Sequence, residues 1–166
     1  MRPSEIIERS LTFSYEWILP LAEDLADAPF TDPTGSQGNH PTWILGHMTF
    51  SKSGLLAMIS GQESPVADWK ERFSGGTQPR YEASFYPAYD TILQAYRDTH
   101  QQALSLLQQL GDERLDAKPL FVWEAIADDP DFQTNARLFL FIAMHEMSHR
   151  GQLADARKVL SRKPFA

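Results

Sequence analysis

The sequence predicts an all-α fold: a four-helix bundle with a long crossover between its second and third helices. Three observations predict it. Four long segments repeat apolar residues at three- and four-residue intervals. No segment alternates apolar and polar residues as a half-buried strand would. The stretch between the second and third helical segments, residues 61–85, is far longer than the roughly two to eight residues that join neighbouring helices.

The first helix is expected over residues 3–28. Pro3 suits a first-turn position, Glu5 and Glu8 favour the positive end of the helix dipole, and Pro29 ends it. Ile7, Ser14, Ile18, Leu21 and Leu25 form its inward stripe, with Trp17 beside it. A loop rich in Pro, Gly, Asn and Asp follows, PFTDPTGSQGNHP. The second helix is expected from Pro41 to Ser60, with Asn39 or His40 at its cap and Gly61 at its stop. Its inward stripe is Ile44, His47, Ser51, Leu55 and Met58. Gly46 and Gly54 each cost about 1 kcal/mol relative to Ala inside a helix. Close approach of another backbone, or room beside a ligand, would justify them.

In the crossover, Trp69 and Phe73 are expected to cover a core edge rather than to bind a substrate. The third helix is expected over residues 86–110, with Pro87 in its first turn and Gly111 at its stop. Tyr89, Leu93, Tyr96, His100, Ala103, Leu107 and Leu110 make its seam. His100, alone on its helix, reads as a hydrogen-bonded core residue. A charged link and a short apolar piece occupy residues 111–130. The fourth helix is expected from about Asp131 to Arg162, with Leu138, Ile142, Leu153 and Leu160 on its apolar stripe.

A chain of 166 residues, 42% hydrophobic and 22% charged, suits one compact domain over residues 1–166. A net charge of -7 disfavours nucleic acid and anionic membranes as partners. The absence of Cys rules out disulfides, thiolate ligands and a protein-borne thiol nucleophile, so a metal could be held only by His, Asp, Glu or water. No apolar run approaches the ~20 residues of a membrane span, and MRPSEIIERSLTF lacks a secretory apolar core. The expected location is the cytoplasm.

The fourth helix carries the chemistry. His145 and His149 stand four apart, one turn from each other on one face, so both imidazoles point the same way and can chelate a divalent metal. The segment His145-Glu146-Met147-Ser148-His149 matches HExxH, in which the Glu of a zinc peptidase acts as general base. Here no Glu follows Glu146, and Gln152 replaces the glycine that would turn the chain toward Asp155. A peptidase is therefore disfavoured. Glu146 and His149 also match the ExxH of di-iron bundles, but Gln37, Ile44 and Arg97 stand three residues before the other histidines, so no second ExxH exists. The third reading is a mononuclear site of His47, His145 and His149 on facing stripes, which leaves an open position for water or substrate.

The segments Trp43-Ile44-Leu45-Gly46-His47-Met48 and His145-Glu146-Met147-Ser148-His149-Arg150-Gly151-Gln152 resemble the paired motifs of the DinB-like metal-binding superfamily. That is the DNA-damage-inducible bundle family, and the resemblance spans nearly the whole chain. It implies a four-helix bundle with the long crossover, a three-histidine divalent metal at His47, His145 and His149 (zinc or nickel, with iron as an alternative), and pairing into homodimers. It also implies a metal-dependent transferase or isomerase that uses a low-molecular-weight thiol against a small-molecule electrophile. A metal-dependent hydrolase and a non-catalytic binding module are the alternatives. Glu146 is a candidate general base, or else a partner in an inter-helix salt bridge. Arg150 and Gln152 are expected to serve packing and hydrogen bonding, and Gly151 close helix contact. Arg72, Arg80 and Arg97 are available to receive the carboxylates of a thiol cosubstrate.

Overall fold

The computed structural model describes residues 1–163. Four long helices make the bundle: α1 (Pro3–Asp24), α2 (Pro41–Ser60), α4 (Tyr89–Leu110) and α5 (Asn135–Val159); a single turn, α3 (Lys70–Phe73), lies in the crossover. No strand occurs among the described residues, as the absence of period-two patterning requires. Helix α1 packs against α5 and α4, and α2 packs against α4 and α5, so α1 and α2 sit on one diagonal.

Four boundaries differ from the sequence expectation, one of them the end of α5 at Val159 rather than about Arg162. Helix α1 ends at Asp24, and turns carry the chain to Pro29, although Leu25 stays buried. Helix α4 begins at Tyr89 rather than 86. Tyr86, the residue before Pro87, is extended at φ -107° and ψ 157°, as a following proline favours. Its buried ring closes the crossover, where its hydroxyl accepts a hydrogen bond from the Arg80 N–H at 2.8 Å. Helix α5 starts at Asn135 because Thr134 caps it, accepting from the Arg137 N–H; Pro130–Phe132 forms a separate 3-10 turn.

Helix α2 is buried nearly all round, not along one stripe alone. The crossover wraps one side of it, and the 111–134 link wraps another, donating from Leu120 N–H to the Met58 carbonyl. The glycines of α2 admit aromatic rings and not a second backbone. A Cβ at Gly46 would collide with the Phe73 ring, and one at Gly54 would meet Trp123 Cη2 at 2.6 Å. Trp69 and Phe73 are both buried and cover a core edge. Gly151, expected at a close helix contact, is exposed with nothing within 4 Å of a Cβ.

The core divides into two apolar clusters along the bundle. One contains Ile18, Ile44, Met48, Phe73, Tyr96 and Leu153. The other contains Leu11, Leu55, Ala103, Leu138, Phe139 and Ile142. The histidines of α5 lie between them in sequence.

Candidate metal centre

His40 is the N-cap of α2. Its Nδ1 accepts from the Trp43 N–H at 3.2 Å and its Nε2–H donates to the Arg80 carbonyl at 2.9 Å. Pro41 fixes the start of the helix, and about two turns in, His47 emerges beside the space that Gly46 leaves for Phe73. The Phe73 carbonyl accepts a hydrogen bond from His47 Nδ1–H at 2.8 Å, while the Trp43 ring stacks on the imidazole at 4.8 Å. The crossover thus orients the ring of His47 through the Phe73 carbonyl, while Trp43 of α2 itself covers its face.

On α5, His145 stacks along Phe141, with ring centres 5.8 Å apart. Gln152, three residues after His149, accepts from His149 Nδ1–H through Oε1 at 2.8 Å. These acceptors assign the proton of His47 and of His149 to Nδ1, which leaves Nε2 with a lone pair. The lone pairs converge: His145 Nε2 is 3.1 Å from His47 Nε2 and 3.2 Å from His149 Nε2. All three nitrogens lie within 4.8 Å of one another.

The donor set fits a divalent cation. His145 Nε2 can supply one proton to one neighbour, so three convergent lone pairs cannot all be satisfied by the protein. At a metal–nitrogen distance of about 2.1 Å, the 3.1 and 3.2 Å separations correspond to N–metal–N angles of about 95–100°. Burial holds His47 and His145 below the ordinary imidazole pKa. His145 falls to about 3, with His149 and His47 adding to the effect of desolvation. The neutral form required of a ligand is therefore already favoured near pH 7.

Glu146, the candidate general base, lies on the core side of α5. Its Oε1 is 2.5 Å from Lys52 Nζ, and its Oε2 accepts from the Ser14 hydroxyl at 2.5 Å. The carboxylate that an HExxH peptidase would aim at a metal-bound water is engaged by α1 and α2. His100 is buried and stacked 3.9 Å from the ring of Tyr15. It does not join the cluster, and burial followed by the nearby Lys52 lowers its pKa to about 4. The guanidinium of Arg150 lies over Trp17.

A cleft of about 420 Å³ runs along the outer side of His145, lined by Asp131, Arg137, Leu140, Phe141, Met144 and Ser148. The three arginines that the sequence left unplaced do not line this cleft. Arg72 and Arg80 pack about Phe85 in the crossover, and Arg97 pairs with Glu23 at 2.7 Å. Arg137 is the cleft's cation. Its spacing was visible, since residues 137, 141 and 145 follow one another at four-residue steps along α5.

The class defined by this fold and tripod is a helical bundle with a three-histidine group that could hold a metal ion. The DinB superfamily model matches residues 10–153. The chain belongs to the DinB superfamily, a metal-binding family. Searches of curated proteins and of solved structures each give no significant match.

Proposed function

We propose that the protein is a divalent-metal-dependent enzyme that transfers a low-molecular-weight thiol to an electrophilic small molecule. The observation that carries this reading is the convergence of three histidine Nε2 atoms from two helices, with two of the three Nδ1 positions already committed to backbone or side-chain acceptors. His47, His145 and His149 would hold the metal. A divalent cation there supplies positive charge that favours thiolate over thiol near neutral pH.

The chain's own groups do the rest. Phe73 and Gln152 fix the imidazole tautomers. Phe141, Leu140 and Met144 offer an apolar wall beside His145, suited to the body of a small organic electrophile, and Arg137 offers a cation to an anionic substituent. Because the protein has no Cys, the sulfur nucleophile must come from a cosubstrate. Such thiols are kept reduced in the cytoplasm, where we place the protein. No described helix is long and apolar enough to cross a membrane. Exposed Phe13 and Trp17 on α1, their rings 5.3 Å apart, supply an apolar face on which two copies would pair as a homodimer.

The test is cobalt substitution followed by thiol titration. Millimolar thiol is expected to shift the visible bands of the cobalt-loaded protein. An unchanged spectrum would remove the thiol from the account and leave the hydrolase and the non-catalytic binding module.

A further inference from the structure

The two apolar clusters are separated by a polar layer to which each long helix contributes: Ser14 from α1, Lys52 from α2, His100 from α4 and Glu146 from α5. Lys52 and Glu146 are among the most secluded charges in the molecule, with side chains 1% and 2% exposed. Lys52 Nζ also lies 4.1 Å from the centre of the Tyr96 ring. Beyond that ring, the partner of Lys52 Nζ is Glu146 Oε1, while the Ser14 hydroxyl donates to the other carboxylate oxygen, Oε2. A buried ion pair is a poor way to stabilise a fold, because desolvating two charges opposes their attraction.

Its location indicates another role. Between Ala143 and Leu153, the stretch of α5 that carries both histidines, Glu146 is the one buried residue. No apolar side chain in that stretch keys the helix into the core. A rotation of α5 by about 20° would move groups at the rim of a helix ~10–12 Å across by about 2 Å. Metal–ligand distances tolerate only about 0.2 Å. The carboxylate is gripped from two directions, by the Ser14 hydroxyl and by Lys52, and charge-assisted contacts of this kind are directional where apolar packing is not.

We infer that Lys52, Glu146 and Ser14 are positioning residues: they fix the rotation of α5 against α1 and α2 so that His145 and His149 meet His47. This inference rests on the metal reading above. Lys52 stands five residues after His47, and Glu146 stands between the two α5 ligands, so the pair ties together the two helices that bear the tripod.

The experiment compares the wild type with Lys52→Met/Glu146→Met and with Ser14→Ala. Each is measured as metal-free protein by thermal unfolding, and as cobalt complex by its visible spectrum and by chelator competition. The double variant is expected to keep a cooperative transition, to bind cobalt at least about ten-fold more weakly and to show altered visible bands. Ser14→Ala, which removes one hydroxyl and leaves the ion pair, is expected to weaken cobalt binding several-fold with the same direction of spectral change. A wild type that binds cobalt, with Ser14→Ala and any folded double variant matching its affinity and spectrum, overturns the inference. Should the double variant fail to fold, Ser14→Ala decides alone. A wild type that takes up no cobalt overturns the metal reading itself, and this inference with it.

Discussion

Gly46→Ala is the most revealing single substitution, because helix propensity and packing demand opposite signs. In a helix interior, Ala is favoured over Gly by about 1 kcal/mol. At position 46 the added methyl would come within 2.5 Å of Phe73 Cδ1, and closer still to Cε1 and Cζ. Phe73 is fully buried, so its ring has no free volume to retreat into. Overpacking of this kind costs about 1–3 kcal/mol, and three overlapped ring atoms place it at the upper end. The net is a loss of about 2 kcal/mol. For a chain of this size that lowers Tm by about 4–8 °C. Gly151→Ala is the control: it lies on α5 with open space around it, so only the propensity acts, and Tm should rise by about 2–4 °C. Circular dichroism melts of the metal-free proteins measure both. Phe73 also holds His47 through its carbonyl, so Gly46→Ala should weaken cobalt binding while Gly151→Ala leaves it intact. A rise in Tm for Gly46→Ala comparable to that for Gly151→Ala would refute the packing argument.

Other consequences concern the site. Gln152→Leu removes the acceptor for His149 Nδ1–H and is expected to weaken metal binding by about 10–100-fold, read by chelator competition; unchanged affinity would show that Gln152 does not set the tautomer. The metal-free protein should lose stability as pH falls from 7 to 5. His145 and His100, at about 3 and 4, stay neutral in the fold but protonate near 6.5 when unfolded, so the unfolded state binds more protons in this window. Their stabilisation is fully present above about 6.5 and is lost progressively below it; urea midpoints that are flat between pH 7 and 5 would contradict the burial of these rings. Phe13→Glu with Trp17→Glu should shift a dimer to monomer in size-exclusion chromatography, and an unchanged elution volume would remove this face as the dimer contact.

Much of this was legible in the sequence, and the reasons are local. His145 and His149 share a face because a helix repeats every 3.6 residues, and Gly46-His47 marked a crowded position on α2. The four long helices follow from apolar spacing, and the Pro and Gly signals placed α2 well. What sequence could not give was tertiary. Lys52 lies off the inward stripe expected for α2, and nothing near it in the chain announces that Glu146, on another helix, will meet it in the core. Glu146 was read from motif spacing as a general base or as an inter-helix salt-bridge partner, and the salt bridge to Lys52 is the role the fold displays. Gly46 and Gly54 signalled crowding, but the groups that fill the space are the Phe73 and Trp123 rings rather than a backbone or a ligand, and they come from outside the four long helices. Arg137 was passed over for Arg72, Arg80 and Arg97 because the position of the cleft depends on how the bundle packs.

The central claim is that three imidazoles from α2 and α5 hold one metal ion. Elemental analysis of protein purified without a histidine tag tests it most directly, on the wild type and on His47→Ala, His149→Ala and His100→Ala. The account predicts about one divalent metal per chain in the wild type and in His100→Ala, and little or none in the other two. Full occupancy in His47→Ala, or a metal-free wild type after metal-replete expression, would contradict it.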